Sequence, residues 1–427
     1  MTSRMDFLAT PFRRRLLFAA LYLSEGAPIG FLWLALPTRL KVADVSIQQI
    51  TALTAVLVIP WTFKFAWAPL VDVLRSRRWT LKHWVLSAQF MMAVTLLPLL
   101  WIDPVQSMKL LSVFLVMHAI AAATQDVAID ALCISVTDAT ERGALNGWMQ
   151  AGMLAGRAAM GGGALLLGSL IGDTAVVVVL VSITSFSGGL LLCSHVPMLE
   201  HDSLPNDKNP IRFVDRVKSV ARDLASAVKG PRHWAAFAFA LTGPAAFKAF
   251  EVIIGPFLID RGLSENEVGT FTATVMIGAM VYGSVLGGCL ADRFQRNSFV
   301  AGALAFIVAS LSAVAITDIV TNEVGGWLLL LPIAVTGLGI GVFTVAAYAL
   351  FMDMTEPRIA ATQFSAYMGA TNGCEAWSTL LLGQLVAGYG YAYGILSLCA
   401  VSALSLLLLP AIVRTDSVRT VETESLP

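Results

Sequence analysis

Thr124-Gln125-Asp126-Val127-Ala128-Ile129-Asp130-Ala131 lies in a run that is otherwise apolar enough to cross a membrane, yet it carries two carboxylates. Asp126 and Asp130 are four residues apart, so a helix points both the same way. A carboxylate at the centre of a bilayer costs ~2.5–3.5 kcal/mol on insertion scales, and such groups face a polar cavity or a partner. The stretch predicts a helix in a membrane bundle whose inward face lines a transport pathway.

The rest of the chain agrees with a bundle. Of 427 residues, 57% are hydrophobic and 13% charged, which excludes an ordinary soluble enzyme. The five cysteines, Cys133, Cys193, Cys289, Cys374 and Cys399, have no metal-ligand spacing and form no close pairs; they read as small packing residues, and neither a metal nor a cofactor is expected. Arg13-Arg14-Arg15 ahead of an apolar run imitates a signal peptide. The run continues past Pro37 without a small-residue cleavage site, so it reads as a first, uncleaved span.

A span needs ~20 apolar residues. On that measure the chain offers twelve, near 16–38, 47–70, 82–102, 107–135, 143–169, 174–196, 233–259, 265–290, 298–317, 327–351, 360–388 and 391–413. Placing the N-terminus inside puts 21 of the 28 Lys and Arg residues in inner segments and 4 in outer loops, with Lys64, Arg157 and Lys248 within spans. That bias predicts a multi-pass protein with both termini cytoplasmic.

The longest polar interruption, 200–232, separates an N-terminal six-helix bundle (1–199) from a C-terminal one with a short tail (233–427). Ile211 to Val220 within it reads as an amphipathic helix at the inner surface. The halves echo one another. Pro69-Leu-Val-Asp72 with Arg75, Arg77 and Arg78 returns 220 residues on as Asp292-Arg293 with Arg296, Pro37 returns after 219 as Pro256, and Glu141-Arg142 returns after 215 as Glu356-Pro-Arg358. Three echoes at nearly one period indicate a duplicated bundle.

These residues also carry a resemblance. Gly288-Cys-Leu-Ala-Asp-Arg-Phe-Gln-Arg296 resembles the signature loop of the major facilitator superfamily, with Gln295 in place of its second glycine. Phe63-Lys-Phe-Ala-Trp-Ala-Pro-Leu-Val-Asp72, together with Thr124 to Ala131 and Glu141-Arg-Gly143, is similar to the branch containing the AmpG muropeptide permeases, the acetyl-coenzyme A transporters and the RhtX and FptX siderophore importers. Gly26-Ala-Pro-Ile-Gly-Phe31 followed by Ala35-Leu-Pro37 looks more like the siderophore importers. The resemblance implies an all-α polytopic protein of twelve helices in the bacterial inner membrane. It also implies a proton-driven importer of a bulky polar solute, a ferric siderophore first and an AmpG-type muropeptide second.

Helical rise places Glu25, Lys64, Asp126 and Asp130 at similar depths. One lysine among three carboxylates leaves at least one acid without a cation, so Asp130, Asp126 and Glu25 are the proton-coupling candidates, Asp130 foremost, with Lys64 as the charge partner. A structural Lys64–Asp126 ion pair is the plain alternative. Arg157, Lys248 and Glu375 also fall near mid-membrane, and two such cations suit an anionic solute. The resemblance puts Lys248 and Glu251 at the cavity and Arg157 and Glu375 at its flanks. The competing expectations are that Lys248 and Glu251 satisfy each other as an i,i+3 pair and that Arg157 is held by a partner such as Glu375.

Trp33, Trp148, Phe247, Tyr348, Tyr367 and Trp377 could pack against a ligand, Tyr348 and Trp377 being the two retained as binding candidates. His118 is a proton-relay candidate or a hydrogen-bonded helix residue. Asp72, Arg75, Arg77, Asp292, Arg293 and Arg296 are expected to gate the inner side. The expected partners are the solute, protons and the lipid bilayer, with an upstream outer-membrane receptor as a further candidate. Nucleic acid is not among them, and a monomer is expected. A polytopic membrane enzyme would need an interfacial cluster that His83, His195, His201 and His233 do not form. No Gly-Lys-Ser/Thr phosphate loop is evident, which disfavours ATP drive.

Overall fold

The computed structural model describes residues 6–73, 79–137, 142–194, 218, 222, 230–291, 293–321, 326–354 and 360–412. Among them, apolar runs punctuated by Gly, Pro and capping residues become long helices, and no strand is present. Eleven are long and apolar enough to span a bilayer: α1 (Pro11–Val42), α2 (Ile47–Ala68), α3 (Leu81–Leu100), α4 (Met108–Cys133), α5 (Gly147–Ile171), α6 (Asp173–Cys193), α7 (Pro231–Asp260), α8 (Glu265–Gly288), α9 (Arg296–Val320), α10 (Gly326–Asp353) and α12 (Tyr391–Ile412).

The twelfth, α11 (Ala360–Tyr389), is 30 residues long but more polar. Four of its polar residues, Thr371, Glu375, Ser378 and Thr379, are buried. All twelve expected spans are therefore present as helices, with ends shifted by a few residues.

Local sequence sets the ends. Thr10 caps α1 by accepting from the Arg13 N–H, with Pro11 in the first turn, where its missing N–H costs nothing. Ser264 and Glu267 form a capping box at the start of α8. Gly172 (φ 81°) and Gly390 (φ 86°) turn the chain between α5 and α6 and between α11 and α12. Both sit in the left-handed region that glycine enters without a Cβ clash, and their spacing repeats the internal period.

Neighbour relations repeat as well. α1 packs on α5 and α6, α2 on α4, and α3 on α4 and α6; correspondingly α7 packs on α11 and α12, α8 on α10, and α9 on α10 and α12. Across the halves, α2 lies along α11, the end of α5 meets the start of α8, and the end of α1 meets α7.

The α1–α5 contact matters most for the site. A Cβ on Gly26 or Gly30 would strike the backbone of Met153 or Arg157, and one on Gly152 or Gly156 would strike that of Ala19 or Leu23. Two glycine pairs at four-residue spacing, facing each other, bring the backbones into direct contact, the small-residue packing that membrane helices use where no hydrophobic drive exists between them. Gly162 likewise meets Gly269 of α8 backbone to backbone.

The outer end is the one that the Lys and Arg distribution places outside. There the halves are closed on each other. Thr38 fills the space beside Gly255, Thr51 that beside Gly383, and Lys41 on α1 pairs with Asp260 at the end of α7 (2.9 Å). Arg261, counted from sequence as an outer-loop cation, is buried in a two-bond ion pair with Asp318 and stacks on Phe257 and Tyr391.

Candidate functional site

Two proline-marked breaks open the site. Pro28 lies within α1 and is followed by a widened π-type turn over Phe31–Ala35. Proline supplies no N–H, and the Phe31 N–H is shared between the carbonyls of Ala27 and Pro28. Gly243-Pro244 likewise breaks α7 between its two helical pieces.

The first group of charges lies within the N-terminal half. Lys64 on α2 forms an ion pair with Asp126 on α4, the plain alternative of the sequence reading. Asp130 accepts a hydrogen bond from the Tyr22 hydroxyl of α1 (2.7 Å) and is itself exposed. Glu25, one turn beyond Tyr22, is only 2% exposed and lies within electrostatic reach of Asp126, Lys64 and Asp130. Its Oε2 has no hydrogen-bond partner among the described residues. Glu25, Lys64, Asp126 and Asp130 are thus neighbours. Among the described residues neither Glu25 nor Asp130 has a bonded cation; the unbonded oxygen of Glu25 is buried, whereas Asp130, held by Tyr22 at Oδ1, is exposed. Nothing in the sequence marked Tyr22 except its i,i+3 spacing to Glu25.

The second group spans the two halves, and here the expected pairings change. Arg157 on α5 binds Glu251 on α7 (3.1 Å), and Lys248 on α7 binds Glu375 on α11 (2.7 Å). Lys248 and Glu251 therefore do not satisfy each other, and the partner of Arg157 is Glu251 rather than Glu375. The reason is rotational. Each side chain points from α7 toward a different neighbouring helix, and a longer-range partner beats the local one. The Trp33 indole N–H, set on the widened turn of α1, donates to Glu375 from the opposite half. Trp33 also packs edge-on against Trp61 of α2 (centroids 5.8 Å apart), and Trp61 lies against Glu25. The two charge groups meet through this tryptophan pair.

The other candidates divide. Tyr348 is 39% exposed and packs against Phe364, and Trp148 is 37% exposed against Phe12. Trp377 donates to the Leu241 carbonyl (2.9 Å), Phe247 is buried edge-on to Phe343, and Tyr367 stacks on Phe351 with its hydroxyl 3.0 Å from His233 Nδ1. His118 is buried with Nδ1 3.1 Å from the Met92 carbonyl, the hydrogen-bonded helix residue of the two readings. Arg296 pairs with Asp353 (2.9 Å), and Arg293 is exposed. Arg75, Arg77, Asp292 and the Asp72 side chain lie outside the described residues, as does most of the 200–232 linker.

The Major Facilitator Superfamily profile matches residues 16–371, and a further match covers 249–426. The chain belongs to the major facilitator superfamily. A major facilitator fold is also what the solved structures show. The D-xylose-proton symporter superposes with a TM-score of 0.75 at 13% identity, covering 94% of this chain and 98% of that one. The nucleoside transporter NupG gives 0.69 at 14%, covering 93% and 98%. Among curated proteins, a Rickettsia conorii protein named AmpG 4 is 22% identical over 378 residues, 86% of this chain and 88% of that protein. Family and fold are those of membrane transporters.

Proposed function

We propose that this major facilitator protein is a proton-driven importer of a bulky polar solute across the bacterial inner membrane, with both termini cytoplasmic. The observation that carries the reading is the buried carboxyl of Glu25. That carboxyl has no bonded cation among the described residues, while Lys64 and Asp126 compensate each other. Asp130, exposed and about 6 Å nearer the inner end than Asp126 on helical rise, is placed to exchange a proton with water on that side. Glu25 then holds the proton at depth, and Asp130 relays it.

A ferric siderophore is the first solute to test, on the strength of the first-span sequence Gly26 to Pro37. An AmpG-type muropeptide is the second, favoured by the curated relative that bears the AmpG name along most of its length. Cells deleted for the gene should be offered labelled ferric siderophore and labelled anhydro-muropeptide, each with and without a protonophore. Loss of protonophore-sensitive uptake of one of them identifies the solute class. Unchanged uptake of both would remove both readings.

A further inference from the structure

We propose that Arg157 and Glu251 form the receiving point for a zwitterionic end of the solute, one that carries both a carboxylate and an ammonium group, and that this end parts the two halves by exchanging ion-pair partners. The inference rests on the transporter reading and specifies what the central site recognises.

The charge inventory selects the ligand. Arg157, Lys248, Glu251 and Glu375 meet at mid-depth as two cations and two carboxylates, so the group carries no net charge. A purely anionic end that captured Arg157 would leave Glu251, whose side chain is 12% exposed, without its bonded cation, because the nearby Lys248 is held by Glu375. A purely cationic end would strand Arg157 in the same way. Breaking a buried pair by removing one partner is the costly event, whereas re-pairing both members is not. Only an end bearing both charges re-pairs both: its carboxylate with Arg157, its ammonium with Glu251.

The geometry selects this pair over the other. Glu375 is fastened twice, by Lys248 from its own half and by Trp33 from the opposite half. The Arg157–Glu251 contact runs through one guanidinium nitrogen and one carboxylate oxygen, and it joins the halves. A planar guanidinium presents further donors in a fork suited to a carboxylate. The pair also borders a small cavity among α1, α5, α7 and α8, shared with Trp33, Thr272 and Met276. That cavity is about 40 Å³, the size of a water or so. A solute end therefore enters only as Arg157 and Glu251 separate, which couples recognition to movement of the halves.

The test measures binding to the full-length protein in lipid nanodiscs, so it stands whether or not any solute is transported. The probes are trialanine, N-acetyl-trialanine and trialanine amide at neutral pH, which carry both charges, the carboxylate alone and the ammonium alone. Trialanine is expected to bind at least about tenfold more tightly than either singly charged form, a difference of ~1.4 kcal/mol. In Arg157→Gln the preference should vanish. Arg157→Gln with Glu251→Gln removes both charges together, avoids a stranded charge if the single variant folds poorly, and should also bind the three probes alike. Equal or tighter binding of a singly charged probe to the wild type, no binding of trialanine, or a preference retained in the double variant would each overturn the proposal.

Discussion

Arg157 reaches from α5 in one half of the bundle to Glu251 on α7 in the other, a contact of 3.1 Å that frees Lys248 to pair with Glu375. The seventh helix thus sends its cation and its acid to different helices. Its two charges tie α7 to both α5 and α11.

Glu25→Gln keeps the size and hydrogen-bonding capacity of a neutral carboxyl while removing the titration. The variant should fold with unchanged thermal stability, keep solute exchange across the membrane and lose accumulation against a gradient. Wild-type accumulation in proteoliposomes with an imposed proton gradient would refute Glu25 as the proton carrier.

Asp130→Asn should leave expression intact and cut uphill uptake, because the exposed carboxyl is the proposed relay to the inner water. Tyr22→Phe removes its hydrogen-bond donor (2.7 Å) without removing the carboxyl. Its effect on uphill uptake should be the milder of the two. Equal effects would place the function in the hydrogen bond instead of the acid.

Lys64→Met strands Asp126 beside two other acids. Loss of one member of a buried pair costs ~3–5 kcal/mol, and replacing both restores much of it. Thermal unfolding should therefore rank Lys64→Met below Lys64→Met with Asp126→Leu. The reverse order would mean that the pair contributes little to holding α2 on α4.

Gly152→Val drives a branched side chain into the backbone of Ala19, where even a Cβ lacks room. Overpacking of this kind costs ~1–3 kcal/mol, and the displaced α5 carries Arg157 with it. Lower thermal stability together with weakened solute binding is expected. Wild-type values of both would show that α1 and α5 can separate freely.

Thr38 Cβ lies 3.1 Å from where a Cβ on Gly255 would stand, so a shift of a few tenths of an ångström would bring the pair into the disulfide range of about 3.5–4.5 Å. Oxidation of the Thr38→Cys, Gly255→Cys variant should join the outer ends of α1 and α7 and stop uptake, and reduction should restore it. Uptake unaffected by a formed cross-link would exclude movement at this contact.

Much was legible in the chain. The twelve helices follow from apolar length, the repeat from the 215 to 220 residue echoes, and the grouping of Glu25, Lys64, Asp126 and Asp130 from helical depth. Even α11, more polar than the other spans, was placed by the same length measure at 360–388. Tyr22 was not, since a tyrosine one turn from a membrane acid has no distinguishing pattern until the helix opposite is known. The burial of Arg261 against Asp318 was equally hidden, because the two are 57 residues apart on different helices.

The sequence by itself determined how many helices cross the membrane, which carry charge, and at what depth, because rise per residue and side-chain periodicity are properties of a single helix. Only the tertiary structure decided that Arg157 takes Glu251, that Lys248 takes Glu375, and that Glu25 is left with an unbonded oxygen. Those outcomes depend on how each helix is rotated and how closely it approaches its neighbour. Backbone contact at Gly26, Gly30, Gly152 and Gly156 sets that approach for α1 and α5, and no one-helix pattern encodes it.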